Sequence, residues 1–311
     1  MHPHRHLLGA FAAMLFVGAS WGANVPVTKV MLSYFDLMPM VALRTIAAAV
    51  TLGVVLLLAE GSQALRVTID AGRFLLLGLM VASFFGLYAL GLRYSNPITA
   101  AAVQVAGPLV SAATVRVVTG LRFDPGFGVA LALTLLGGLI LAASSLSGAG
   151  HLTFGGGEVV VLGTNVVWTL YSIKVQAWFA DSASQLHRAY VAALSAMFWL
   201  VLCGLGAVAL LGACSPFAVG DPWVWTQLLG VAGMASGMGS YAWNIGVSRL
   251  GVAIASLWVN LVPFFAVLWS MAYGFIPNVY QIAGGLVALS GVVYMQWRKL
   301  QASRPSARVA A

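Results

Sequence analysis

Two charged side chains, Lys29 and Arg44, interrupt apolar stretches long enough to cross a bilayer. A charge at the bilayer centre costs roughly 2.5–3.5 kcal/mol, so such residues face a bundle interior or extend along their stems to the interface. Lys29 stands about two turns from the end of its stretch and can reach outward. Arg44 begins deeper, after Pro39, and serves either a pathway or the carbonyls of a neighbouring segment. The carboxylates behave differently: Asp36, Glu60, Asp70, Asp124, Glu158, Asp181 and Asp221 all fall in loops or at the ends of apolar stretches. Glu158 comes nearest to an interior position. A proton relay or a site for organic cations would draw on an acid inside a span, and none is present.

Neutral polar and aromatic side chains trace faces at helical spacing. Asn24 and Thr28 flank Pro26; Phe84 and Tyr88 are four apart; Gln104 precedes Pro108 by one turn. Further along, Thr164, Trp168 and Tyr171 share a face, as do Tyr241, Asn244 and Ser248, and Ser256, Asn260 and Pro263. Trp168, Trp243 and Trp258 lie deep in their stretches, where an indole must pack on protein or ligand and its N–H needs a partner. Amides and freed carbonyls can hydrogen-bond an ammonium and a carboxylate, while the rings can stack on an apolar body. The competing role is helix-to-helix bonding, worth about 0.6 kcal/mol per pair in membranes. Catalytic constellations are missing, since His151 and His187 fall in loops and no nucleotide-binding glycine loop occurs. Cys203 and Cys214 lack metal-ligand spacing, and His2, His4 and His6 on the N-terminal tail read as neutral or topogenic. No cofactor or metal is expected, and the chain reads as a non-enzyme.

The elements that must position these residues are membrane helices. With 311 residues, 61% hydrophobic and 7% charged, the chain lies far outside soluble averages. The composition defines an all-α integral membrane protein. Apolar runs separated by glycine, proline or charge predict ten spans, at about 7–32, 36–59, 71–93, 96–118, 125–146, 156–178, 184–211, 222–246, 250–273 and 279–298. The first is read as a retained helix rather than a cleaved signal, because its apolar run continues past Trp21 to Tyr34. Ten spans put both termini on one side. Arg5, Arg66, Arg73, Arg116, Arg122, Lys174, Arg188, Arg249, Arg298, Lys299, Arg304 and Arg308 group there, against Arg93 alone opposite. That bias predicts cytoplasmic termini, and it accounts for the net charge of +8 better than nucleic-acid binding does.

One stretch occurs twice. Gly91 to Pro108 and Gly246 to Pro263 share a glycine followed 17 residues later by a proline, an arginine just after the glycine (Arg93, Arg249), and small residues at the helix start (Ala100 and Ala101, Ala255 and Ser256). Other matches are Gly137-Gly138 with Gly284-Gly285, and Trp21 before Lys29 with Trp168 before Lys174. Five spans per copy is odd, so the second copy enters from the other face and the repeats are inverted. A proline inside a span frees a carbonyl that lipid cannot satisfy, so Pro26, Pro108 and Pro263 mark candidate hinges facing protein or water.

Trp21-Gly-Ala-Asn24 to Lys29, Arg44, the Gly-x-Arg-Tyr of 91–94 and the two matched prolines resemble the drug/metabolite transporter superfamily, EamA-type branch, over nearly the whole chain. Tyr241-Ala-Trp-Asn244, with Trp258 and Asn260, is similar to the bacterial aromatic amino acid exporters of that superfamily. The resemblance implies two five-helix EamA-like repeats, 7–148 and 154–298. Spans one to four and six to nine would surround a central cavity, with spans five and ten packed behind. It implies a monomeric inner-membrane carrier exporting aromatic or other neutral amino acids by alternating access, as uniport or exchange. Efflux of drugs or other metabolites is the alternative within that class; a membrane enzyme, a scramblase or a structural membrane protein are the alternatives outside it. The residues expected to bind substrate are Asn24, Tyr88, Gln104, Trp168, Tyr171, Tyr241, Asn244, Ser256, Trp258 and Asn260, with Lys29 and Arg44 as the intramembrane charges.

Overall fold

The computed structural model describes residues 3–95, 103–146, 155–213, 219–274 and 276–302. The expectations placed on His2, Ala100, Ala101, His151, Cys214, Arg304 and Arg308 lie outside these residues, as do the side chains of His4, Arg5 and His6. Among the described residues the chain is helical throughout, without strands. Its elements are α1 (Pro3–Met31), α2 (Leu37–Glu60), α3 (Ala71–Arg93), α4 (Gly107–Thr119), α5 (Phe127–Leu146), α6 (Gly157–Ala177) and α7 (Gln185–Leu211). After these come α8 (Pro222–Trp225), a π turn (Thr226–Gly233), α9 (Met234–Leu250), α10 (Val252–Leu257), a 3-10 turn (Trp258–Leu261), α11 (Val262–Ser270) and α12 (Val279–Ala302). Seven described helices are long and apolar enough to cross a membrane, the segment from Val252 to Ser270 counting as one of them.

The helix ends follow local chemistry. Ser184 opens α7 by accepting the His187 N–H at 3.0 Å, and Asp221 opens α8 by accepting the Trp223 N–H at 2.8 Å. At the other end of α4, Gly120 takes the left-handed conformation that a side chain would resist, and its N–H returns to the Arg116 carbonyl. Glu158, buried in the first turn of α6, accepts the N–H groups of Gly155 and Gly156 at 3.2 and 3.0 Å. Its carboxylate therefore neutralises a helix start.

The matched prolines occupy equivalent places. Pro108 lies in the first turn of α4 and Pro263 in the first turn of α11, each after a local break in the helix. A missing N–H costs nothing at that position, so each proline starts a new helix rather than kinking an old one. Pro26 differs, remaining inside the continuous α1.

Packing brings the elements together in pairs. α1 lies against α9 and α11, α6 against α3 and α4, α7 against α2 and α3, α9 against α2, and α10 against α4. The most extensive pairing is α5 with α12, where Gly137, Gly284, Ala288 and Gly291 let the two backbones meet directly. Elsewhere Gly91 of α3 lies against Val161 of α6, and Gly246 of α9 against Met14 of α1. One apolar cluster gathers the first half of α1 with α4, α9, α10 and α12. A second gathers the far half of α1 with α2, α3, α6, α7 and the π turn, and Trp168 packs against both.

Candidate substrate cavity

A cavity of about 400 Å³ opens around Trp168, with walls drawn from α1, α2, α3, α4, α6, α7, α9 and α10. Its most conspicuous lining is aromatic. The Trp168 ring stands 5.1 Å from Tyr171, 5.4 Å from Phe84, 5.7 Å from Trp21 and 6.0 Å from Trp243, centroid to centroid. Trp21 and Trp243 are 5.6 Å apart, which closes a three-indole cluster. The Trp243 N–H is satisfied by the Ser172 hydroxyl at 3.1 Å, so that ring is held by a hydrogen bond as well as by packing. Gly239 makes this arrangement fit, because a side chain there would run into the Trp21 ring.

Polar groups punctuate the wall. Arg44 is the one charged residue among the described lining, and its Nη1 donates to Thr28 Oγ1 at 3.0 Å. Asn24 donates to Ser236 Oγ at 3.4 Å. Across the cavity, Asn165 Nδ2 donates to Gln104 Oε1 at 2.6 Å and to the Leu162 carbonyl at 3.0 Å. Thr169 donates to Ser111 at 2.9 Å, tying α6 to α4.

Of the residues expected at the site, the structure brings Asn24, Gln104, Trp168, Tyr171 and Ser256 onto the cavity wall together with Pro108 and Arg44. Others lie away from it. Tyr88 stacks on Phe84 at 6.1 Å without lining the cavity, and Tyr241 packs with the α2–α7 cluster around Leu52 and Leu186. Asn244 and Trp258 are buried in the bundle, and Lys29 is exposed in the last turn of α1. Pro26 and Pro263 stand beside the wall residues Val25 and Val262 without lining it themselves.

Asn260 has a separate explanation. In the break before Pro108 the Leu109 N–H turns to the Ala106 carbonyl, which leaves the Val105 carbonyl without its helical partner. Asn260 Nδ2 donates to that carbonyl at 3.1 Å and to the Thr134 carbonyl at 3.3 Å. It therefore stitches one broken helix to the other, satisfying a backbone group that lipid could not. Sequence reasoning singled out Trp243 as a deep indole without placing it among the substrate-binding residues, and it missed Trp21, Asn165 and Ser236 as wall residues. The equivalence of Trp21 to Trp168 in the repeat was the available signal for the first; nothing in the spacing marks the others.

An all-helical chain with several bilayer-length apolar helices around an internal aromatic cavity is a multi-pass membrane protein built to hold a small molecule. The chain matches the EamA-like transporter family over residues 7–143 and 156–297, and it belongs to that family. It is 24% identical over 288 residues to the uncharacterized transporter YyaM of Bacillus subtilis (strain 168), a match covering 92% of this chain and 93% of the relative. A solved crystal structure shares the fold with a TM-score of 0.75 at 19% identity, covering 96% of this chain and 99% of the other. The protein is thus a membrane transporter of small molecules.

Proposed function

We propose that this transporter exports aromatic or other neutral amino acids across the bacterial inner membrane, by alternating access and without a coupled proton. The observation that carries the reading is the cavity wall itself. Three indoles, Phe84 and Tyr171 offer stacking surface for an apolar body, while a single cation and no carboxylate lie among the described lining. A cationic drug would meet no counter-charge there, and a proton would find no acid to ride on. Export suits such a carrier, since a high internal concentration supplies the driving gradient.

The supporting architecture is ten spans in two inverted five-helix repeats, 7–148 and 154–298. α4 forms the described end of the fourth span, and α8, the π turn and α9 together form the eighth. Exchanging α1 with α6, α2 with α7, α3 with α9, α4 with the α10–α11 segment and α5 with α12 maps α1–α9 onto α3–α6, α1–α11 onto α4–α6, and α3–α7 onto α2–α9. The exchange holds at residue level too. Val161 precedes Trp168 by the same seven residues as Met14 precedes Trp21, and these two meet the equivalent glycines Gly91 and Gly246. The breaks at Pro108 and Pro263 are where the paired helices change angle between states.

In liposomes containing only this protein and loaded with unlabelled tryptophan, external labelled tryptophan should accumulate by counterflow with no imposed pH gradient. Counterflow is the signature of a carrier that reorients with its substrate. Absence of counterflow across a panel of neutral amino acids, or flux that demands a pH gradient, sinks the reading.

Both termini belong on the cytoplasmic side, given the basic residues that gather there. Arg249 lies beside Gly9 of α1, and Lys299 pairs with Asp124 at 3.1 Å on the same end of the bundle. In a background lacking Cys203 and Cys214, a cysteine at Ser62 should be protected from impermeant thiol reagents in intact cells. One at Ile276 should react; the reverse pattern would invert the assigned orientation.

A further inference from the structure

Two polar atoms on one side of the cavity have no partner, and their chemistry is complementary. Asn24 Oδ1 and Arg44 Nε are both buried and both unbonded, although the two residues line the same wall. Leaving a buried polar group without a partner is costly, and more so for a charged one, so a pair of them in one cavity points to a ligand.

The surrounding bonds fix what each atom can take. The Ser236 hydroxyl donates its only hydrogen to the Ala232 carbonyl at 2.6 Å, so it must accept from Asn24 Nδ2. That orients the amide and leaves Oδ1 as an acceptor without a donor. On Arg44, Thr28 occupies Nη1. What remains is the side-on edge formed by Nε and Nη2, the edge on which a guanidinium grips a carboxylate with two parallel bonds. Asn24 and Thr28 are four residues apart on α1 and so share a face, with side chains about 5–6 Å apart. Arg44 is thus anchored one helical turn from Asn24, and both residues line the cavity that Trp21 also lines.

We infer that Asn24 and Arg44 form the head-group subsite for an α-amino acid. Arg44 binds the carboxylate through Nε and Nη2, and Asn24 Oδ1 accepts a hydrogen bond from the ammonium, which leaves the side chain to the indoles around Trp168. The inference rests on the reading of the cavity as an amino acid site, and it narrows the polar contacts to these two residues. Gln104, whose Oε1 is taken up by Asn165, and Asn260, whose Nδ2 is taken up by two backbone carbonyls, serve the scaffold instead.

The test uses three probes that share a phenyl body: L-phenylalanine, 3-phenylpropionate, which lacks the ammonium, and phenethylamine, which lacks the carboxylate. Binding to the purified full-length protein in detergent is read from quenching of the cavity tryptophans, and folding from a melting curve of the same sample. Wild type should bind phenylalanine at least tenfold more tightly than either analogue. Asn24→Leu should weaken phenylalanine about tenfold and leave 3-phenylpropionate unchanged. Arg44→Gln should weaken phenylalanine and 3-phenylpropionate at least tenfold and leave phenethylamine unchanged. Arg44→Lys, which keeps the charge and loses the fork, should recover part of that loss; it serves also if the glutamine variant fails to fold. Equal weakening of all three probes by either variant overturns the head-group assignment while the amino acid reading stands. Failure of the wild type to bind any zwitterionic amino acid overturns both.

Discussion

Gly284→Leu should abolish most of the folded protein. A Cβ at this position would fall 2.7 Å from the Gly137 carbonyl oxygen and 2.7 Å from the Leu141 nitrogen. Both are backbone atoms of α5, so no rotamer change can relieve the clash, and the leucine branch extends it further. Overpacking against side chains costs typically 1–3 kcal/mol. Here the helices themselves must separate, along the most extensive helix pairing in the bundle, so the cost should exceed about 3 kcal/mol. Gly206→Ala on α7 is the control, because its Cβ would meet nothing within 4 Å. Removing a helical glycine there should be neutral or stabilise by about 0.5–1 kcal/mol. Size-exclusion profiles and melting temperatures in detergent read both. A monodisperse Gly284→Leu protein with an unshifted melt would mean that α5 and α12 do not need their close approach.

Trp168→Ala should raise the half-saturation concentration for tryptophan by at least about tenfold in proteoliposomes. Trp168 touches four other rings of the cavity wall and joins the two apolar clusters that bound it. An aromatic pair contributes about 0.5–1.5 kcal/mol beyond its buried area, and 1.4 kcal/mol is a factor of ten in affinity. Losing one stacking contact to substrate, together with the loosened positions of Trp21 and Trp243, accounts for that factor. Trp297→Ala is the matched control, since Trp297 is 52% exposed on the outside of α12. Equal effects from the two substitutions would show that Trp168 acts through folding and that the substrate body sits elsewhere.

Among the wall residues, those legible in the sequence had a repeat or a helical face to mark them. Trp168 and Tyr171 share a face of α6, Gln104 stands one turn before Pro108, and Asn24 adjoins Pro26. The polar network around them was not legible. Asn165 and Ser236 become wall residues only because α6 comes against α4, and the π turn sets the register of α9 against α1. A π turn adds a residue to a helical turn, so it rotates every side chain after it relative to a count in steps of 3.6. Past that turn, Trp243 lies on the cavity wall while Tyr241 and Asn244 do not.

By itself, the sequence determined that this chain is a helical membrane protein, because mean composition and uninterrupted apolar length leave the backbone no other way to satisfy its hydrogen bonds in lipid. It also marked the breaks at Pro108 and Pro263 through their repeated spacing, whereas Pro26 shows that proline alone does not decide a break. Only the tertiary structure decided which polar groups are spent on the scaffold and which are left over. Asn260 and Gln104 are amides one turn before matched prolines, as Asn24 is an amide beside a third; the first two meet backbone or amide partners across the bundle, and Asn24 keeps an acceptor unused in the cavity that Arg44 also lines. Hydrogen-bond satisfaction depends on what lies opposite a helix face, and that is a property of packing between residues far apart in the chain, which no local spacing encodes.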